Sequence, residues 1–272
     1  QRQMCIRDSP CSLLLIKFFP SWGRIYNWWT GELIWTGVSS QKNGLALLCV
    51  LSIFFIFWEL RQRLKGQIAA VIKYQIYIEL LLVLLSFWLL GGPNRSLTYS
   101  ATSTIVLLVG ILFFASLLWI NNRRIKLNSK AISLIFILIA IYGSITPFLG
   151  HLSLFDVSSL MQRDSTLTTR STHIWAPLIP YAKKSPIVGY GVGGFWTTAM
   201  RELTSTSAHN GYLEIILHYG LIGLALFLLF ILSCVKTAMI SLAYDNNWGI
   251  LFLCLLLMFL VYNITESTIH TL

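Results

Sequence analysis

Charged residues are scarce in this sequence, and acidic ones are the scarcest. Only 11% of the 272 residues are charged, and Asp and Glu together number ten. A soluble domain carries about a quarter charged residues, so an ordinary soluble protein is excluded. The acids form no paired cluster, which argues against a carboxylate metal site. The five cysteines show no CxxC spacing, so neither a thiolate metal site nor a disulfide framework is indicated.

Long apolar runs occupy most of the chain, in which 56% of residues are hydrophobic. A helix needs about 20 apolar residues to cross ~30 Å of hydrocarbon. We therefore predict an all-α, polytopic membrane helix bundle. Its candidate spans are residues 44–60, 68–90, 104–120, 131–149, 211–235 and 248–262. The formal charge of +10 lies mostly between these runs, so it indicates membrane orientation and anionic lipid rather than nucleic acid.

Two short basic loops predict the orientation. Residues 61–65 and 123–130 carry most of the connecting positive charge and should face the cytoplasm. The loop 150–208 then lies on the opposite side. With 59 residues it is too long to be only a connection.

Two segments of this loop carry structural signals. Residues 171–184 predict a short amphipathic helix at the membrane surface, broken near Pro177 and Pro180. The glycines of residues 189–194 predict a tight backbone turn, because no strand precedes them as a dinucleotide fingerprint requires.

The ends of the chain do not resemble its middle. The first residues have neither an initiator Met nor an apolar period. We interpret residues 1–10 as foreign sequence and residues 11–272 as one membrane domain, and we expect that domain to be incomplete at both ends.

Reactive side chains occur where the long loop meets the apolar run 211–235. His209 can act as a general base, because an unperturbed imidazole titrates at about 6.5. Glu214 and His218 lie four residues apart on one helix face. This pair is either functional or a structural tie between helices.

Several spaced motifs resemble the bacterial O-antigen ligase and polymerase family. The motifs are Leu167–Trp175, Ser185–Gly191, His209-Asn210 followed by Gly220 and Gly223, Asn263–Ser267 and Gln41–Asn43. The resemblance implies a GT-C-like bundle with a periplasmic loop carrying short helices. It also implies a bacterial inner-membrane enzyme, without metal or other cofactor, that transfers an undecaprenyl-diphosphate-linked glycan on the periplasmic side. The acceptor is lipid A core in a ligase and another lipid-linked glycan in a polymerase.

The same resemblance assigns roles to residues. His209 would activate the acceptor hydroxyl, Arg170 would bind the diphosphate and Asn210 would position substrate. A guanidinium suits the diphosphate because it stays charged and bonds bidentately. Further candidates for substrate contact are Lys42, Arg163, Lys183, Lys184, Arg201 and Glu214. The four cations of the loop 150–208 could instead be ordinary surface charges without a role in catalysis.

Two alternatives stay open. Ligases often carry an arginine where residues 100–103 read Ser-Ala-Thr-Ser, which favours a polymerase. A transporter or flippase for lipid-linked sugars would instead predict discontinuous helices, inverted repeats and ionisable residues near the bilayer midplane. The polar residues here cluster at one face, which favours chemistry over transport.

Overall fold

The computed structural model describes residues 2–26, 31–64, 73–93, 100–149, 170–203 and 207–268, most of them helical. The chain divides into two compact units, residues 1–115 and 116–272. Five helices among the described residues are long and apolar enough to cross a membrane: Lys42–Arg63, Ala101–Asn122, Ser129–Leu149, Gly211–Tyr244 and Asn246–Thr265. The predicted all-α, multi-pass membrane protein is thereby confirmed. Of the predicted span 68–90, residues 68–72 lie outside the described residues, and the apolar part Gln75–Gly91 is a shorter helix.

The first unit is helical with one small hairpin. Its helices are α1 (Arg2–Phe18), α2 (Pro20–Gly23), α3 (Lys42–Leu64) and α4 (Lys73–Gly91), and α5 (Ala101–Asn122) continues into the second unit. Strands β1 (Arg24–Tyr26) and β2 (Leu33–Trp35) pair antiparallel. Three-residue strands are too short to produce an alternating pattern, so the sequence did not predict them. Helix α1 passes through residues 10 and 11 without interruption, and the foreign origin of residues 1–10 stays a prediction.

A buried ion-pair group joins α3 to α4. Arg63 bonds to Glu79 at 2.8 Å and also to Glu59 on its own helix. The Glu79 side chain is only 5% exposed. A carboxylate inside an apolar helix is tolerated here because a guanidinium pairs with it.

The second unit is built on three long helices. Helices α6 (Ser129–Leu149), α9 (Gly211–Tyr244) and α10 (Asn246–Thr265) pack against one another. A π-helical turn (Arg170–Trp175) leads into α7 (Ala176–Lys184), and α8 (Thr198–Leu203) follows.

Helix α9 is interrupted at Gly220, where φ is 61° and ψ is −158°. The 34 residues would extend about 51 Å as one helix, well beyond ~30 Å of hydrocarbon. Residues 211–218 are buried throughout, whereas many apolar side chains after residue 219 are exposed. The predicted span 211–235 therefore joins two segments with different surroundings.

The helix predicted at residues 171–184 exists, but it is not broken at its prolines. Pro177 lies in the first turn of α7, where no N–H is needed, and Pro180 lies inside the helix. Trp175, Leu178 and Ala182 are buried against the first turns of α9. The apolar face thus packs on protein. The predicted break was wrong, and the predicted position at the membrane surface stays a prediction.

The loop after α7 packs directly on the break in α9. Its Pro186 and Ile187 carbonyls accept hydrogen bonds from Leu221 N–H (2.8 Å) and Ile222 N–H (3.2 Å). In return, Tyr190 N–H and Gly191 N–H donate to the carbonyls of residues 217 and 218 at 2.9 and 2.8 Å. The loop therefore satisfies backbone groups that the break in the helix leaves without partners. Positive φ angles at glycines 189, 191 and 193 confirm the predicted tight turn.

Candidate active site

A buried carboxylate, Glu266, joins the two residues proposed for catalysis. Glu266 follows the last residue of α10 and is 4% exposed. It forms an ion pair with Arg170, and its Oε2 lies 3.0 Å from Nδ1 of His209. Arg170 and His209 are 96 and 57 residues from it in sequence. The loop, the start of α9 and the end of α10 thus converge on one polar cluster, Arg170, His209 and Glu266.

The charge state of Glu266 sets the proton positions in this cluster. Burial opposes its ionisation, but the nearby Arg170 guanidinium and the His209 ring outweigh burial and hold the pKa of the carboxyl below its ordinary 4.5. An ionised carboxylate only accepts hydrogen bonds, so Nδ1 of His209 donates to it. Nε2 of a neutral His209 then carries the lone pair and can take a proton from a substrate. The His209 side chain remains 23% exposed.

The backbone before His209 is held on both sides. The Ala208 N–H donates to Glu214 Oε1 at 2.7 Å, and the Ala208 carbonyl accepts from the Trp175 indole at 2.9 Å. His209 itself has φ of 47°, which is uncommon for a residue with a side chain. These contacts stabilise the left-handed conformation in which the imidazole meets Glu266.

Asn210 is the N-cap of α9 and is completely buried. Its Oδ1 accepts from Leu213 N–H at 2.7 Å. Its Nδ2 donates to the Gly143 carbonyl at 3.1 Å and the Ile264 carbonyl at 2.8 Å. One carboxamide therefore ties α6 and α10 to the first turn of α9, directly beside His209.

Asn210→Ala should destabilise the fold far more than loss of a helix cap alone. Removing a cap costs about 1 kcal/mol, and each buried carbonyl left without a donor costs about 1–3 kcal/mol more. Asp245→Ala is the matched control, because Asp245 caps α10 through Asn247 N–H at an exposed position. Thermal unfolding of the full-length protein in detergent should show a clearly larger fall in Tm for Asn210→Ala. Equal falls would contradict the tie between three helices.

Comparison with known proteins identifies the region that contains most of this cluster. Residues 96–228 match the family model described as O-antigen ligase. This region is similar to the O-antigen ligase family. The chain is also 30% identical over 109 residues to the exopolysaccharide production protein ExoQ of Rhizobium meliloti (strain 1021). That match covers 34% of this chain and 24% of the relative, so the chain spans about a quarter of the relative's length. No solved structure gave a significant match.

The matched residues 96–228 include Arg170, His209 and Asn210, which the structure brings together with Glu266. Lys183 and Lys184 end α7 and are exposed, as is Arg201 on α8. Arg163 lies outside the described residues, and Lys42 is the first residue of α3 in the first unit. The roles of these cations stay predictions.

Glu214 has a different environment from that predicted. Its side chain is 2% exposed, and its oxygens accept from Ala208 N–H and from the Trp196 indole at 2.7 and 2.8 Å. His218 lies 3.7 Å from the same carboxylate. This geometry favours positioning of the backbone before His209 over the predicted contact with substrate.

Glu266 is the functional candidate that sequence reasoning left without a role. It lies outside the residues that match the O-antigen ligase model. Two signals could have found it: the motif Asn263–Ser267, and its place at the end of an apolar run on the same predicted side as His209. An acid at that boundary needs a cationic partner, and Arg170 is one.

Proposed function

We propose that this protein transfers a glycan from an undecaprenyl-diphosphate carrier to an acceptor hydroxyl at the cluster of Arg170, His209 and Glu266. The observation that supports the proposal most strongly is the Glu266 carboxylate, which contacts both catalytic candidates at once. The match of residues 96–228 to the O-antigen ligase model supports the class of reaction.

The cluster has the groups that this transfer needs. Nε2 of His209 takes the proton from the acceptor hydroxyl as its oxygen attacks the anomeric carbon. The bond between that carbon and the diphosphate oxygen breaks, and the diphosphate leaves with the electron pair. Arg170 uses Nη2 to bind Glu266, and its remaining N–H groups are suited to the phosphate oxygens. Such fixed positive charge stabilises the leaving group.

The cell biology follows from the same proposal. The site would face the periplasm, on a multi-pass protein of the bacterial inner membrane, and transfer would need no metal. The acceptor would be another lipid-linked glycan rather than lipid A core. Residues 100–103 and the exopolysaccharide role in the relative's name both support a polymerase.

His209→Ala and Arg170→Ala should each lower transfer by about 100-fold or more. The first removes the base, and the second removes the positive charge that stabilises the leaving diphosphate. The test uses the full-length protein in cells that lack their own surface-polysaccharide ligase and polymerase. Gels of lipid-linked and surface glycan should show precursor accumulating in both variants at matched membrane expression.

His173→Ala is the control, since His173 is an exposed histidine on the same loop. It should retain wild-type transfer. Lengthened lipid-linked chains in the wild type would indicate a polymerase, and glycan on lipid A core would indicate a ligase. Wild-type transfer by both His209→Ala and Arg170→Ala would reject the site.

One observation favours the transporter as a second candidate, because α9 is a discontinuous helix at Gly220. Transporters of that kind direct the free backbone groups of a broken helix at their substrate. Here the loop occupies such groups: Leu221 N–H donates to Pro186, and the carbonyl of Leu217 accepts from Tyr190. The break therefore supports loop docking better than substrate transport.

A further inference from the structure

Three apolar side chains are exposed on the loop that packs against the break in α9. Ile187 and Val188 are each 62% exposed, and Val192 is 64% exposed. Four backbone hydrogen bonds fix this loop to α9. The fold therefore holds these side chains at the surface, and apolar side chains that form a contiguous exposed patch mark an interaction site.

The exposed surface of the loop continues onto the membrane-spanning part of α9. Leu221, Ile222 and Leu226 are 55%, 51% and 61% exposed. A groove of about 400 Å³ joins the two parts, lined by Val188, Tyr219, Ile222, Gly223 and Leu226. An apolar face of a spanning helix is covered by lipid. Because the surface is continuous, lipid that covers this face of the helix would also reach the loop.

The charges beside the loop fit a lipid surface. Lys183 and Lys184 are exposed and lie shortly before the apolar residues. Cations next to an apolar surface bind anionic headgroups while the apolar side chains enter the acyl boundary.

We propose that residues 186–192 form a membrane-inserted loop. Ile187, Val188 and Val192 enter the leaflet on the side of the His209 site, and Lys183 and Lys184 contact lipid phosphates. The preceding helix α7 packs its apolar face on protein, and its last two residues, Lys183 and Lys184, lead into this loop. The inference concerns lipid contact alone and does not depend on the proposed glycan transfer.

Fluorescence quenching tests the insertion. The full-length protein without its native cysteines would carry bimane at Val188→Cys in vesicles of phosphatidylcholine and phosphatidylglycerol. Interfacial apolar groups enter about 5–10 Å into the headgroup and acyl boundary, so a quencher near the top of the acyl chain should remove most of the emission. Leu226→Cys is the lipid-facing reference, and Glu202→Cys, at an exposed position on α8, is the aqueous reference.

We expect the Val188 probe to behave like the Leu226 probe. The lipid-borne quencher should reduce its fluorescence, and iodide in the buffer should not. Quenching by iodide alone, as at Glu202, would overturn the proposal because the loop would lie in water. Protection from both quenchers would also overturn it, because another part of the protein would then cover the loop. Size-exclusion chromatography checks the fold. The labelled protein should elute at the same volume as the unlabelled protein.

Discussion

Glu266→Gln is expected to lower the rate of glycan transfer by about 100-fold or more, the usual contribution of a positioned base. Glutamine keeps the size of the side chain but removes the charge that pairs with Arg170. It also loses the acceptor-only carboxylate that fixes a proton on Nδ1 of His209. The measurement is single-turnover transfer by the purified full-length protein. The protein is in excess over the donor, and the acceptor is at a saturating concentration.

Glu202→Gln is the matched control, since Glu202 is an exposed glutamate on α8. It should transfer at the wild-type rate, and a Glu266→Gln variant that does the same would contradict the role of the carboxylate. The pH dependence of stability gives a second readout. The pKa of Glu266 is lower in the folded state, so its ionised form stabilises the fold fully above the ordinary 4.5. That contribution is lost as pH falls through the lower folded value, and Glu266→Gln should abolish it.

Gly220→Ala is expected to disrupt the docking of the loop on α9. The added Cβ would lie 2.2 Å from the Ile187 carbonyl oxygen, at a φ of +61° that favours glycine. Either the loop or the helix must move, and the backbone hydrogen bonds between them would be lost. Backbone strain at a positive φ costs about 1–2 kcal/mol by itself. We expect Gly220→Ala to lower Tm by more than that strain alone would, and to reduce glycan transfer strongly.

Gly191→Ala separates steric contact from strain. Gly191 also has positive φ, +80°, but nothing lies within 4 Å of a Cβ built there. Its variant should show only the cost of the conformation. A Gly220→Ala variant no less stable than Gly191→Ala would mean that the loop does not approach the helix so closely. Gly189→Ala should resemble Gly220→Ala, because its Cβ would meet the His218 backbone at 2.5 Å.

Hydropathy and length predicted the membrane-spanning helices well. Residues 104–120, 131–149 and 248–262 fall within α5, α6 and α10, because an apolar run of sufficient length has no other stable form in a bilayer. The break at Gly220 was visible only as a glycine in the run 211–235. Its φ depends on the loop that packs against it, which is a tertiary contact that periodicity does not record.

The candidate site was predicted in part. The position of His209 before an apolar run and its resemblance to a family motif identified it as a catalytic candidate. The partner of both His209 and Arg170 was not predicted, because Glu266 is separated from them by the whole of α9 and α10. Glu214 was assigned to substrate because it forms an ionisable pair with His218 on one face of a helix at the edge of the bilayer. Only the fold reveals that backbone and indole donors surround its carboxylate.

The packing of the loop helix on α9 was not predicted, for a similar reason. Apolar and cationic residues in 171–184 are typical of a segment at a membrane surface. Burial of Trp175 and Leu178 against α9 accounts for the apolar half of that pattern without lipid. The π-helical turn at residues 170–175 also has no local sequence signal, although it places Arg170 at Glu266.

The most direct test of chemistry at the cluster of Arg170, His209 and Glu266 is transfer in detergent, where no bilayer separates donor from acceptor. Purified full-length protein would receive a lipid-diphosphate-linked glycan and an acceptor glycan, and mass spectrometry would follow the product. We predict product from the wild type and from His173→Ala, and none above background from His209→Ala. Two results together would contradict the proposed enzymatic activity and support a transporter. They are no transfer by the wild type in detergent, and movement of the lipid-linked glycan across the bilayer of vesicles that contain the protein.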